Sequence, residues 1–241
     1  GRWEPAVAAF RESLDFGADA RVGADLAICE TNLRKFPAAN EALEVAERSA
    51  QLNGAPTEVV IGDDNSIREC VTIHRGTNDK LKTTIGDNCL LMTYVHIAHD
   101  CHIGDNAIIV NGVALAGHVI VGNYAIIGGL AAIHQFIQIG DHAMISGGSL
   151  VRKDVPPYTK AAKEPLSYVG INSVGLRRRG FTSEKIREIQ DIYRILYQKN
   201  YNTSQAVGII EAEMSASPER DEILDFIRNS SRGIMKGYSG A

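Results

Sequence analysis

Aliphatic side chains recur at every sixth position through the middle of the chain. The series runs from Ile85 to Val151, and all twelve of its members are aliphatic. The members are Ile85, Leu91, Ile97, Ile103, Ile109, Leu115, Val121, Ile127, Ile133, Ile139, Ile145 and Val151. The same phase extends back to Ile61, with one break at Asp79. Because aliphatic residues make up about a quarter of an average sequence, chance does not explain this run.

A slower period of three hexapeptides is superimposed on the hexapeptide period. Gly86, Gly104, Gly122 and Gly140 recur once in every three hexapeptides, and each precedes Asp or Asn. Three hexapeptides therefore make one triangular coil, whose corners favour residues that tolerate positive φ. Consecutive coils should stack at the inter-strand spacing of about 4.8 Å. The two periods predict a mainly β fold, a left-handed parallel β-helix of hexapeptide repeats over residues 54–158.

The first corner of the series breaks the spacing of one glycine per coil. Gly62-Asp63 precedes Gly86 by one coil and one further hexapeptide. The extra residues fall between Arg75 and Lys82, in the polar and basic stretch RGTNDKLK. This insertion is predicted to project as an external loop.

The last third of the chain, residues 159–241, is predicted to be a linker followed by a helical bundle. Apolar residues have helical spacing over 183–199, and a second helix is expected over about 204–215. A third helix should begin with Ser217 as its N-cap and Pro218 as its first residue.

The N-terminal segment, residues 1–53, has a different pattern. It is predicted to form an amphipathic helix and then a helical hairpin that turns near Pro37. This pattern resembles tetratricopeptide repeats, and a generic helical cap on the open end of the solenoid explains it equally well. The chain begins Gly-Arg-Trp, within what looks like a motif, so a truncation, fusion or chimera is expected there.

Charge and cysteine content narrow the class of protein. The formal net charge is −4, which gives no reason to expect nucleic-acid binding. The four cysteines form no CxxC pair, which favours reduced thiols in a cytoplasmic protein. The sequence has no signal peptide and no apolar run of about 18 residues, so no membrane span is predicted.

The histidines all lie within the repeat. His99, His118 and His134 fall at similar places on successive coils and are predicted to form one stripe, with His96 beside them. A single solenoid is convex, and proteins of this architecture usually trimerise. A pocket is therefore expected in the clefts between neighbouring copies.

Three interpretations of the histidine cluster are open on these residues alone. The spacing His96-x-x-His99-x-Cys101 looks like a zinc site, but alternation along a strand separates such side chains, and a metal is disfavoured. A neutral imidazole can instead take a proton from a sugar hydroxyl that attacks a thioester, while backbone N–H groups hold the oxyanion. The third interpretation is a set of polar residues on a wet face between subunits.

Further motifs give the chain a resemblance to a known family. The matching stretches are IRECVTIHRGT (67–77), HIAHDC (96–101), LAGHV (115–119), AIIGG and IHQF (125–136), DVPPY (154–158) and GINSVGLRRRGF (170–181). In order and spacing they resemble the UDP-N-acetylglucosamine O-acyltransferases of lipid A biosynthesis, over about residues 54–241. The resemblance implies transfer of a 3-hydroxyacyl chain from acyl carrier protein to the 3-hydroxyl of UDP-N-acetylglucosamine. It also implies a cytoplasmic homotrimer that uses no cofactor or metal beyond the carrier thioester.

The resemblance assigns roles to individual residues. His99 matches the general base, Asp100 its partner and Gly117 the backbone donor to the oxyanion. Neighbours along a strand point apart, so the repeat alone does not predict the contact between His99 and Asp100. Gly147 matches the position that limits acyl length, and a glycine there leaves room for a longer chain. The substrate contacts implied are His96, His118, His134, Gln135, Asn172, Arg178 and Arg179.

The chain departs from the family pattern in two places. Val174 stands where the family usually has an acidic contact, so nucleotide recognition is expected to differ in detail. Several coils that the family has before Pro56, with an Asp/Lys loop that contacts substrate, have no match here.

Acyl carrier protein is acidic and would need a basic surface. The candidates for this surface are Lys160, Lys163, Arg177, Lys185, Arg187 and Arg194. Two other functions stay open: a hexapeptide-repeat acyltransferase acting on a different sugar or acyl donor, and an inactive trimeric scaffold.

Overall fold

The computed structural model describes residues 57–199 and 201–237. The predicted helical segment over residues 1–53 lies outside the described residues. The middle of the chain is the predicted left-handed parallel β-helix, built from three parallel sheets that form the faces of a prism. Each coil of three hexapeptides contributes one short strand to each face.

The strand bounds follow the hexapeptide period closely. The first face contains β1 (Glu58–Ile61), β4 (Lys82–Ile85), β7 (His102–Ile103), β10 (Ile120–Val121) and β13 (Gln138–Ile139). The second face contains β2 (Ser66–Ile67), β5 (Leu90–Leu91), β8 (Ile108–Ile109), β11 (Ile126–Ile127) and β14 (Met144–Ile145). The third face contains β3 (Thr72–Ile73), β6 (His96–Ile97), β9 (Ala114–Leu115), β12 (Ala132–Ile133) and β15 (Leu150–Val151).

The aliphatic series forms the core of the prism. Ile97, Leu115 and Ile133 lie in register on the third face, because parallel pairing joins positions that are one coil apart. Successive side chains of a strand point to opposite sides, so the second residue of each short strand points inward. These three side chains are 0–2% exposed. The six-residue period of aliphatic side chains in the sequence therefore marks the residues that point into the core of the prism.

The three corners of the prism separate the faces, and the Gly-Asp/Asn signature lies at the first of them. We define the first corner as residues 104–107, 122–125 and 140–143 and their equivalents, which follow the first face. At this corner the Asp105 N–H donates to Asn123 Oδ1 at 2.8 Å, one coil further on. A Cβ on Gly104 would lie 2.8 Å from the same oxygen. The hydrogen bond between successive coils therefore requires glycine at this position.

The first corner has the predicted positive φ, but two residues after each glycine rather than at the glycine itself. Asn106 has φ 58°, and the equivalent positions on later coils, Tyr124 and His142, have φ 56° and 58°. Asparagine tolerates this conformation more readily than bulky residues do. Aromatic residues at the same place are therefore held there by packing around them.

The passage predicted as a linker contains strands that the sequence did not reveal. β16 (Thr159–Ala162) pairs in parallel with β14, and β17 (Ser167–Ile171) pairs antiparallel with β16. A last short strand, β18 (Lys236–Gly237), pairs with β17. The second face thus extends beyond the hexapeptide repeat.

The predicted C-terminal helices are confirmed, with one short helix before them. The four helices are α1 (Ser173–Arg178), α2 (Ser183–Gln198), α3 (Thr203–Glu213) and α4 (Pro218–Asn229). The Ser217 side chain caps α4 and accepts from the Arg220 N–H, and Pro218 is the first helical residue, as predicted. No helix within the described ranges is long and apolar enough to cross a membrane.

Glu222 on α4 joins the helices to the solenoid. Its carboxylate accepts a hydrogen bond from the Tyr158 hydroxyl. Burial raises the pKa of Glu222 to about 7, and the nearby carboxylates of Asp141 and Glu219 act in the same direction. Because this pKa is higher in the folded chain than in the unfolded one, Glu222 lowers stability as the pH rises from about 4.5 through 7.

Glu222→Gln should remove this pH-dependent loss of folding stability. The amide oxygen still accepts the hydrogen bond from the Tyr158 hydroxyl, and the amide carries no charge. With allowance for solvent screening, the variant should be more stable than the wild type at pH 8 by about 1–2 kcal/mol. Urea unfolding at pH 5.5 and pH 8 measures the difference. If the free energy of unfolding changed equally in the wild type and the variant between pH 5.5 and pH 8, the prediction would be contradicted.

Candidate active site

The third corner carries the histidine cluster. We define it as residues 98–101, 116–119 and 134–137, which lie between the third face and the first. The stacking of successive coils forms two columns of residues along this corner. The first column consists of His99, Gly117 and Gln135, and the second of Asp100, His118 and Phe136.

His99 and Asp100 form a hydrogen-bonded pair. The His99 Nδ1 lies 2.8 Å from Asp100 Oδ2. Asp100 has φ 59°, so the two residues are not successive positions of an extended strand. The alternation that separates strand neighbours therefore does not apply, and the contact implied by the family resemblance is present.

The Asp100 carboxylate is fully enclosed, with a side chain that is 0% exposed. It accepts from the Thr77 N–H at 2.8 Å and from the Thr77 hydroxyl at 2.5 Å. Burial favours the neutral acid, but the hydrogen bonds from Thr77 and His99 outweigh it and hold the pKa of Asp100 below its usual range. Asp100 is therefore an anion that can only accept, which places the proton of the pair on His99 Nδ1.

Gly117 lies directly against the His99 ring. A Cβ on Gly117 would be 2.6 Å from His99 Cε1 and 2.7 Å from Nε2, so only glycine permits this approach. In the described part of the chain, no backbone carbonyl accepts the Gly117 N–H. This N–H therefore has no backbone partner among the described residues, and it belongs to the residue that packs against the His99 ring.

His118 fills the space beside the pair. Its ring packs edge-on to His99, with centroids 5.1 Å apart, and stacks on Phe136 at 4.8 Å. Its Nε2 lies 3.6 Å from Asp100 Oδ2, and its Nδ1 lies 3.4 Å from Asp79 Oδ2 in the insertion. The repeat did not predict Asp79 or Thr77 here, because the insertion lies outside the period.

The predicted stripe of three histidines is only partly correct. His134 is equivalent to Ala116 rather than to Gly117, so it is one position out of the first column. Its Nδ1 faces the Gln135 carbonyl at 3.2 Å. That carbonyl also accepts from Arg232 at 3.1 Å, a residue that the sequence patterns did not single out.

His96 and Cys101 do not form a metal site with His99. His96 lies on the outer side of β6, with Nδ1 2.8 Å from the Thr72 hydroxyl. Cys101 is buried and its thiol donates to the Ala116 carbonyl, while burial raises its pKa to about 11. Ligand atoms of His99, Asp100 and His118 do lie within 4.8 Å of one another; of these, His99 and Asp100 are hydrogen-bonded to each other.

Asn172 and Arg179 lie at the first corner, on a different edge of the prism. Asn172 caps α1 by accepting from the Gly175 N–H, and its Nδ2 donates to the His142 carbonyl at 2.9 Å. The Arg179 guanidinium donates to the Tyr124 carbonyl at 3.2 Å and lies 5.2 Å from the centre of the Tyr124 ring. Two positions predicted to bind the nucleotide are thus anchored on one corner.

An aromatic column forms the floor beneath Arg179. The His142 ring stacks on Tyr124 at 4.9 Å and on Tyr158 at 5.6 Å. Burial, together with the positive charge of Arg179, lowers the pKa of His142 to about 4, so this imidazole is neutral at pH 7. Arg178, next to Arg179, is exposed.

Gly147 lies at the second corner, between the second face and the third. It is exposed, and a Cβ there would lie 3.0 Å from the Gly129 carbonyl oxygen of the preceding coil. The three predicted parts of the site, around His99, Arg179 and Gly147, therefore occupy three different edges. One copy of the chain does not bring them together.

The hexapeptide solenoid with a histidine–aspartate pair at a corner defines a hexapeptide-repeat acyltransferase. Residues 154–235 match the family model described as Udp N-acetylglucosamine O-acyltransferase, domain 2, and residues 82–117 match bacterial transferase hexapeptide repeats. The chain belongs to the family of UDP-N-acetylglucosamine O-acyltransferases.

Curated relatives and solved structures support this assignment. The acyl-[acyl-carrier-protein]--UDP-N-acetylglucosamine O-acyltransferase of Halorhodospira halophila is 44% identical over 196 residues, which cover 81% of this chain and 76% of the relative. That of Psychromonas ingrahamii is 58% identical over 185 residues, covering 76% and 71%. The crystal structure of LpxA, a UDP-N-acetylglucosamine acyltransferase from Bacteroides fragilis, matches with a TM-score of 0.74 and 49% identity, covering 76% of this chain and 72% of that one.

Proposed function

We propose that this chain transfers an acyl group from acyl carrier protein to UDP-N-acetylglucosamine, the first step of lipid A biosynthesis. The observation that carries the proposal is the His99–Asp100 pair packed against Gly117, whose N–H no backbone carbonyl of the described residues accepts. The acyl donor and the sugar-nucleotide acceptor are those for which the relatives are named. The finer assignment, a 3-hydroxyacyl chain and the 3-hydroxyl of the sugar, follows the family resemblance.

The geometry supports a general-base mechanism. Asp100 accepts the Nδ1 proton of His99, so the lone pair of Nε2 faces outward and takes the proton of the sugar hydroxyl. The hydroxyl oxygen attacks the thioester carbonyl carbon, and the resulting oxyanion accepts the Gly117 N–H. When the intermediate collapses, the carbon–sulfur bond breaks and the carrier thiolate takes the proton back from His99.

A complete site requires more than one copy of the chain, and we propose a homotrimer. His99 and Arg179 lie on separate edges, so they can serve one substrate only across a cleft between neighbours. Exposed apolar side chains at the second corner fit such an interface, since Tyr94 is 70% exposed and Leu130 is 76% exposed. Gly147 lies at the same corner, where an exposed backbone leaves room for a longer acyl chain.

Nucleotide binding is assigned to the first corner. Arg179 presents a guanidinium beside Asn172, and such a group pairs well with phosphate oxygens. Val174, where the family usually has an acid, is 54% exposed on α1. We therefore expect recognition of the uridine to rely on Asn172 and the arginines. His96, His134 and Gln135 keep their predicted roles in contacting the sugar nucleotide or shaping the cleft.

The proposed surface for acyl carrier protein is narrower than the sequence suggested. Lys185 pairs with Glu188 at 3.1 Å and with Glu219 at 2.8 Å. Arg187 and Arg194 also pair with carboxylates three residues away on α2. Their charge is partly neutralised, so Lys160 and Arg177 become the stronger candidates. The cytoplasmic location inferred from the cysteines stays a prediction.

An acyl-transfer assay of the purified chain tests the proposal against its alternatives. Supplied with 3-hydroxyacyl carrier protein and UDP-N-acetylglucosamine, it should form an O-acylated nucleotide sugar that mass spectrometry detects. Turnover with acyl-coenzyme A instead, or with a different sugar, would favour another hexapeptide-repeat acyltransferase. A stable trimer that acylates none of these acceptors would favour the scaffold.

A further inference from the structure

The insertion after the first coil folds back onto the third corner. The Gly76 N–H donates to the Glu58 carbonyl at 3.1 Å, and the Leu81 N–H donates to the Thr77 carbonyl at 2.7 Å. A Cβ on Gly76 would lie 2.1 Å from the Lys82 nitrogen, so the tight closure of the loop requires glycine. The insertion is exposed, as predicted, but its first turn has a fixed position against the site.

Thr77 in this turn is oriented towards Asp100. Its N–H donates to Asp100 Oδ1 at 2.8 Å, and its hydroxyl lies 2.5 Å from Asp100 Oδ2. The same hydroxyl oxygen accepts from the Asp79 N–H at 3.3 Å, which leaves its own proton for the carboxylate. Thr77 thus supplies two of the three short hydrogen bonds to a fully buried anion, and His99 supplies the third.

We propose that Thr77 is a positioning residue for acyl transfer, and that the first turn of the insertion, residues 76–79, is therefore a component of the active site. The proposal rests on the function proposed above. A buried carboxylate held by three donors keeps one orientation, and this orientation fixes the His99 ring above Gly117. Without the Thr77 hydroxyl, Asp100 Oδ2 would be held by His99 alone and could turn or admit water.

The charges around His99 determine what the loss of this hydroxyl does to proton uptake. His99 faces Asp100 directly and His118 edge-on, and Asp79 lies beyond His118. Removing a donor from Asp100 leaves more negative charge on Oδ2, which stabilises the imidazolium form of His99. The pH at which the base becomes protonated should therefore rise.

The test compares Thr77→Val with Thr77→Ser, and uses Lys80→Ala in the same insertion as the control. Thr77→Val should lower kcat about 10-fold, with little change in the KM for UDP-N-acetylglucosamine. The acid limb of its kcat/KM profile should move to higher pH. Thr77→Ser, which keeps the hydroxyl, should restore both values, and Lys80→Ala should behave as the wild type.

A second readout separates this proposal from the proposed function. Carbon-13 NMR of the His99 imidazole follows its titration without any turnover, and Thr77→Val should shift that titration upward as well. Wild-type kcat in Thr77→Val would overturn the positioning role, and so would a lower kcat with an unmoved acid limb and NMR titration. A wild type that acylates nothing would instead overturn the proposed function, and the NMR comparison would still decide the role of Thr77.

Discussion

His99→Ala should lower kcat by roughly 10²–10⁴-fold, the usual contribution of a positioned general base. The variant keeps Asp100 and the Gly117 N–H, so the oxyanion donor and the fold remain. What it loses is an imidazole whose Nδ1 contacts Asp100 and whose Nε2 lies over Gly117. The KM for UDP-N-acetylglucosamine should change far less than kcat. Steady-state acyl transfer under saturating donor measures both.

The control for this variant is His102→Ala. His102 lies three residues further on, is exposed on β7, and contacts the Thr84 hydroxyl at 2.6 Å. It is a histidine of the same coil outside the third corner, so its loss should leave kcat within about twofold of the wild type. Retained turnover in His99→Ala, with a matched melting temperature, would refute the general-base role.

Gly117→Ala should lower kcat by roughly 10²-fold without removing any catalytic group. The new Cβ would lie 2.6 Å from His99 Cε1, so the imidazole must move. A displacement of about 1 Å between reacting groups can cost this much, because the base no longer meets the hydroxyl proton. Gly117 does not have a positive φ, so the backbone accepts alanine and the effect falls on the ring.

Gly208→Ala is the matched control for this substitution. Gly208 lies on α3 and a Cβ there meets nothing within 4 Å, so alanine should leave turnover unchanged and slightly stabilise the helix. A crystal structure of Gly117→Ala should show a displaced His99 ring. An unmoved ring with full activity would mean that the close approach has no functional importance.

The solenoid could be predicted in detail because its core is periodic. Parallel stacking repeats every inward position after one full coil, so Ile97, Leu115 and Ile133 reveal the coil in the sequence itself. The caps of the C-terminal helices were also local signals, such as Ser217 before Pro218. The hairpin of β16 and β17 carries no period and begins in a Pro-rich turn, so it was missed.

The site was less predictable because its contacts depart from the period. Asp100 reaches His99 only because its backbone is in the left-handed region, which a strand pattern does not show. Thr77 reaches Asp100 from an insertion outside the repeat. The coil spacing predicts that His134 lies in the stripe. His134 is equivalent to Ala116 rather than to Gly117, however, and its ring faces the Gln135 carbonyl outside the column.

Mixed assemblies test most directly whether the His99 corner of one copy and the Arg179 corner of another form one active site. His99→Ala and Arg179→Ala chains, each weakly active alone, are co-expressed in equal amounts and purified through one common tag, so that assemblies of every composition are kept. In a random mixture about one quarter of the interfaces pair an intact His99 with an intact Arg179. At nucleotide-sugar concentrations well below KM, the mixture should therefore recover about a quarter of the wild-type rate. A rate no greater than the mean of the two separate variants would contradict a site shared between copies.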